Sequence, residues 1–163
     1  MSISVPDETT PIVVVTEEIA ASPSFVFETL LDVQELPHWF HAPGGGETSD
    51  WSLDPRPGGE WSATTKAPDG STGRLEGEFI EVDVPNSLEF TWHDSDDAAA
   101  NGIVRFTLDE MSVAGEQWTR LTVTHVTSSA AQSVGSSALR IDWMLRLCNF
   151  SLHLTRYLVA ASA

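Results

Sequence analysis

The sequence predicts an α+β domain. A curved antiparallel sheet of six to seven strands, with two short helices near its start, wraps around one long C-terminal helix. Three observations predict it. Much of the chain between residues 50 and 126 alternates apolar with polar residues, the pattern of strands with one wet and one buried face. From about Ser137 to Ala160 the period changes to threes and fours, as in an amphipathic helix. A sheet with one apolar face needs a cover, and this last helix is the only element large enough to supply it.

Residues 1–10 are polar and are expected to be a disordered tail, with residues 11–160 forming a single domain. "IVVVTEEIAA" (12–21) starts with β-branched residues and reads as the first strand. Ser22 is a good N-cap and Pro23 suits a first helical position. The helix that follows pairs Val26 with Leu30 and Phe27 with Leu31. "QELPHWF" reads as a second short helix with Pro37 in its first turn. Strands follow at 50–53, 60–67, 73–84, 87–93, 103–110 and 117–126. The turn signals between them are "DPRPGG", Asp69-Gly70 and Pro85-Asn86. A bulge is expected at Gly77. In the final helix Leu139, Trp143, Leu147, Phe150, Leu154 and Leu158 form the apolar stripe. Arg140, Arg146 and Arg156 are expected on its rim, facing an acidic sheet.

Charge narrows the partners. The chain has 24 acidic and 8 basic residues, for a net charge of −16, and Lys66 is its only lysine. Such a surface repels phosphate backbones and anionic lipid, so neither nucleic acid nor membrane is expected as a partner. Cys148 is the only cysteine, which fits a reducing cytoplasm, and it reads as a small buried apolar residue. The N-terminus lacks a basic n-region, and no apolar run is long enough to span a bilayer.

Motif chemistry is sparse. His38 and His41 lie three apart and share a helix face, but nothing completes a metal site around them. They read as an exposed or mouth-lining pair. Gly44-Gly45-Gly46 lacks the Lys-Ser/Thr of a phosphate loop and reads as slack leading into the next strand. Of Trp39 and Phe40, one ring is expected to pack and the other to face a pocket mouth. No G-x-S-x-G elbow is present, and Asp96-Asp97 sit in a polar loop. His125 falls on the inward face with Leu121 and Val123, so it must find a partner or stay neutral. Asp142 and Glu76 are candidate partners. Six tryptophans are many for 163 residues. They line either a packed core or a pocket walled by rings with a few polar groups.

Taken together, several stretches resemble the Aha-type family of the START-like (SRPBCC, birch-pollen-allergen-like) superfamily. They are "DPRPGGEWSATTKAPDGS", "GEFIEVDVPNSLEFTW", the helix pair "ETLLDVQELPHWF" and the strand "TRLTVTH". The resemblance covers roughly residues 12–158. It implies a helix-grip fold with a hydrophobic cavity, and it supplies no fixed catalytic triad. Relatives include ligand carriers, co-chaperone domains, polyketide cyclases and self-sacrifice resistance proteins of enediyne clusters. The segment "VTSSAAQSVGSSALR" departs from the family in being small and Ser-rich.

The resulting expectation is a binding module that holds a hydrophobic, aromatic or polyketide-like molecule in a cavity between the sheet and the C-terminal helix, in a carrier, sequestration or self-resistance role. Its ligand-binding residues would be Trp39, Phe40, Trp61, Phe79, Phe90, Trp92, Phe106, His125, Trp143, Leu147 and Phe150. No catalytic residue, metal or cofactor is expected, and the oligomeric state is a monomer or weak dimer. Two alternatives stand beside it. One is a cyclase- or dehydratase-like enzyme with His125 as general base. The other is a chaperone-cofactor-like interaction domain using the acidic surface.

Overall fold

A computed structural model describes residues 12–127 and the helix 133–162. The expected tail at residues 1–10 lies outside the described residues, as do residues 128–132 of the Ser-rich segment. The first strand, β1 (Ile12–Ile19), leads into α1 (Pro23–Leu30) and α2 (Leu36–Trp39). Six strands follow: β2 (Glu47–Leu53), β3 (Glu60–Lys66), β4 (Thr72–Asp83), β5 (Ser87–Asp94), β6 (Gly102–Val113) and β7 (Glu116–Thr127). A short 3-10 turn (Ala98–Ala100) joins β5 to β6, and α3 (Ser133–Ser162) ends the chain.

The seven strands form one sheet in the order β1-β7-β6-β5-β4-β3-β2, and every pair is antiparallel. β1 and β2 therefore sit at opposite edges, and α1 with α2 carries the chain from one edge to the other. Ser22 caps α1 by accepting from the Phe25 amide at 3.2 Å, and Pro23 occupies the first turn. The alternating strands deliver Trp61, Leu75, Phe79, Phe90, Trp92, Val104, Phe106 and Val123 to one buried face. That face meets Val26, Phe27 and Leu30 of α1 and Leu139, Trp143, Leu147, Phe150 and Leu154 of α3. Arg140 of α3 donates to the Val14 carbonyl at the edge strand, 3.1 Å away.

Several local expectations are corrected. β2 begins at Glu47 rather than residue 50, because its pairing with β3 runs through Glu47–Ser49 before an irregularity at Asp50, where φ is 52°. The bulge in β4 falls between Phe79 and Glu81. Gly77 instead stays in register opposite Trp61. A Cβ there would lie 1.9 Å from the Thr91 carbonyl oxygen and 2.4 Å from Trp61 Nε1, so this glycine permits a close approach. Gly44–Gly46 is not slack: Gly45 N donates to Ala42 O and Ala42 N to Gly46 O, both at 3.0 Å. Gly44 and Gly45 take φ of 79° and 97°, which a tight turn requires. Cys148 is exposed, on the outer side of α3, because it falls one position beyond the buried Leu147.

Candidate ligand-binding site

An apolar void lies under α1 and α2, over the part of the sheet built from β2 to β6. Its walls are Leu30, Leu31, Leu36, Trp39, Phe40, Trp51, Leu53, Trp61, Phe79, Leu88, Phe90, Trp92 and Phe106. Eight of these thirteen are aromatic and the rest are leucines, so the walls are overwhelmingly apolar. The volume is about 30 Å³. Ligand pockets run roughly 300–1,000 Å³, so this space holds water-sized contents unless a wall moves.

The rings form a continuous lattice. Phe40 lies 5.1 Å from Trp51, 6.0 Å from Trp92 and 5.7 Å from Trp143. Trp61 lies 5.4 Å from Phe90 and 5.7 Å from Trp92, mostly edge-on or tilted. Trp61 donates its indole N–H to the Thr91 carbonyl at 3.0 Å.

Seven of the sequence-predicted residues line this void: Trp39, Phe40, Trp61, Phe79, Phe90, Trp92 and Phe106. Four do not: His125, Trp143, Leu147 and Phe150 are buried where α3 packs against the sheet. Trp51 and the five leucines were not singled out from the sequence. Trp51 sits after the Asp50 irregularity, which breaks the alternation that would have aimed it inward. Trp39 and Phe40 are both buried, at 1% and 4% exposure, so neither ring is left at an open mouth. Two successive residues can both be buried here because the helix ends at Trp39 and Phe40 leaves it with φ of −94° and ψ of 85°, outside the helical region.

His125 is fully buried. Its Nε2 lies 2.7 Å from the Ala100 carbonyl, and its Nδ1 accepts from Trp143 Nε1 at 3.0 Å. These two bonds select the tautomer with the proton on Nε2. Its partners are therefore Ala100 and Trp143, not Asp142 or Glu76. Asp142 accepts from the Gly44 amide at 3.2 Å, and Glu76 accepts from Arg74 at 2.9 Å. Burial, as the largest cause, pushes the His125 pKa down from 6.5 to about 4. The ring is a neutral brace whose lone pair is already engaged.

Arg146 was expected on the rim and is instead completely buried. Its guanidinium carbon lies 4.5 Å from the Phe40 centroid, 4.7 Å from Trp143 and 5.4 Å from Trp92. Its Nε donates to the His41 carbonyl at 3.2 Å. Burial lowers its pKa to about 10, opposed by the charges of Asp142 and then Asp94, so it stays cationic. Spacing carried a signal for this: Arg146 is three residues after Trp143 and four before Phe150, on the buried stripe.

The two histidines of the opening helix pair diverge. His38 is exposed and stacks on His153 of α3, with centroids 5.5 Å apart. His41 points toward Asp142, 3.8 Å from its Oδ1, too far for a hydrogen bond. Among the described residues no group of His, Cys, Asp and Glu is placed to hold a metal ion, and no helix is long and apolar enough to cross a membrane.

Solved structures share this fold. A protein of Nitrosomonas europaea matches with TM-score 0.75 and 21% identity, over 94% of this chain and 99% of its own. The Mycobacterium smegmatis protein Ms6760 matches at 0.71 and 24%, over 93% and 95%. CalU16 from Micromonospora echinospora matches at 0.63 and 16%, over 93% of this chain and 80% of its own. At these identities the likeness is one of fold. No curated protein matches the chain. The family described as Activator of Hsp90 ATPase homolog 1-like protein matches residues 20–143, from the end of β1 into α3. With the helix-grip architecture and the apolar void in place, that match decides the family: the chain belongs to the Activator of Hsp90 ATPase homolog 1-like family, a START-like group of ligand-binding domains.

Proposed function

We propose that this chain binds a hydrophobic, aromatic or polyketide-like small molecule beneath α2, as a carrier or in sequestration or self-resistance. The supporting observation is the wall of eight aromatic and five leucine side chains converging on one void. Four of the six tryptophans belong to that wall, a concentration of rings that suits stacking on a planar ligand. Because the void holds only about 30 Å³, a ligand enters by displacing α2, whose Leu36 and Trp39 form its roof. Residues 11–160 act in this reading as one cytoplasmic domain, a monomer or weak dimer, with no nucleic-acid or membrane partner.

His125 does not supply the general base that a cyclase-like activity would need, because Trp143 occupies its Nδ1 and no surface reaches it. Titrating planar aromatic and polyketide compounds into the protein tests binding through tryptophan fluorescence. Trp39, Trp51, Trp61 and Trp92 should be quenched or shifted with a saturable dependence on concentration. A panel of such compounds that leaves the emission unchanged would sink the proposal.

A further inference from the structure

Five buried side-chain atoms among the described residues have no hydrogen-bond partner in the chain: Trp39 Nε1, Trp92 Nε1, Arg146 Nη1, Arg146 Nη2 and His41 Nε2. Buried polar groups are nearly always paired, so a cluster of exceptions calls for an explanation. These five are not scattered. Trp39 and Trp92 are walls of the void. Arg146 does not line it, but its guanidinium stacks on Phe40 and Trp92, two rings that do. His41 follows Phe40 directly, and its carbonyl holds Arg146 Nε.

Their chemistry is one-sided. Indole and guanidinium nitrogens donate and cannot accept. Four of the five orphaned atoms are therefore donors by necessity, gathered around otherwise apolar walls. The complement of such a set is a hydrogen-bond acceptor on an aromatic body. Charge then chooses the kind of acceptor. Arg146 already has Asp142 and Asp94 acting on it, and Asp94 is 4% exposed. A carboxylate ligand would bring a third negative charge into that neighbourhood, inside a chain of net charge −16.

Building on the binding reading above, we propose that the ligand class is a neutral planar aromatic carrying a carbonyl oxygen. That oxygen would accept from Trp92 Nε1 and the Arg146 guanidinium at the α3 side of the void. Carbocyclic hydrocarbons of the same shape fill the walls but leave the donors unpaired, which is the situation in which polar sites discriminate most strongly.

Three probes with one tricyclic skeleton separate the possibilities: fluorene, 9-fluorenone and fluorene-9-carboxylate. Calorimetric titration of the full chain should rank 9-fluorenone about tenfold or more tighter than fluorene, with the carboxylate weakest. Arg146→Met keeps the volume and removes the donors, and should shrink the fluorenone-to-fluorene ratio severalfold. Trp92→Phe keeps a ring and removes one N–H; it should shrink the ratio in the same direction, and it serves if Arg146→Met does not fold. Equal binding of fluorene and fluorenone overturns the acceptor inference and leaves hydrophobic binding standing, with the donors meeting water instead. A ratio that persists in both variants also overturns it, as does a carboxylate that binds tightest. If none of the three binds, the binding proposal falls and this one falls with it.

Discussion

His125 joins three separate parts of the chain through one side chain. β7 places it, the 3-10 turn offers the Ala100 carbonyl, and α3 brings Trp143 to its other nitrogen. Its inward position was legible in the sequence, since it alternates in phase with Leu121 and Val123. Its partners were not, because one is a backbone atom 25 residues away and the other lies on a separate helix. The same limit hid Arg146: its helical phase marked it as buried, but charge argued for the surface, and only the aromatic cage resolves the conflict. The neutral brace makes stability depend on pH. The folded ring stays unprotonated down to about 4, whereas the unfolded ring takes its proton near 6.5. The contribution of neutral His125 is therefore complete above about pH 6.5 and is lost as pH falls toward 4. His125→Gln can keep both hydrogen bonds without titrating, so it isolates the effect. The unfolding free energy of the native protein, measured by urea denaturation against this variant, should fall by about 2 kcal/mol more between pH 7 and pH 5. A difference between the two proteins that stays flat with pH would show that His125 is protonated in the fold.

At the scale of elements, α2 is too short to hold itself, with four residues and no side-chain cap. Its position comes from contacts on both sides. Glu35, just before it, pairs with His153 of α3, and His38 stacks on that same imidazole. After it, Asp142 of α3 accepts from the Gly44 amide, and Thr48 of β2 donates to the Phe40 carbonyl at 2.6 Å. The sequence made the helix itself legible through Pro37 and the apolar pair Leu36 and Trp39. It could not show what fastens it, because the fasteners lie about a hundred residues later. His38 thus reads as part of a clasp rather than as half of a metal pair. Since α2 roofs the void, loosening the clasp should open it. A double variant, Asp142→Ala with His153→Ala, should speed hydrogen exchange at the His38 and Phe40 amides about thirtyfold, given about 1 kcal/mol for each of the two lost hydrogen bonds. Amides in the paired β6 and β7 should keep their protection. Unchanged exchange in α2 would mean that Leu36 and Trp39 hold it by packing alone.

For the molecule as a whole, alternation and the late change of period made the elements and the α+β class legible. The strand order was not legible in the same way. Periodicity says which face is buried, not that β1 would lie beside β7 and leave α1 and α2 to bridge to the far edge. The place of the void follows from that bridge, which is why the sequence reading put the void against the long helix while the structure puts it under the short ones. The long helix also carries a second apolar stripe, Ile141, Leu145 and Leu152, exposed beside Cys148. Charge acts at this scale too. Arg56, Arg74, Arg105 and Arg120 form ion pairs with neighbouring carboxylates, but all are substantially exposed and such pairs contribute little. Against them stands the self-repulsion of 24 acidic groups facing 8 basic ones. Salt weakens both, since the screening length shrinks from about 30 Å at 0.01 M to about 3 Å at 1 M. The excess of like charge is the larger quantity, so screening should stabilise the fold. The melting temperature at pH 7 should rise by about 3 °C or more between 0.01 and 0.5 M sodium chloride. Scanning calorimetry over that series decides the balance, and a melting temperature that falls with salt would show that the arginine pairs outweigh the repulsion.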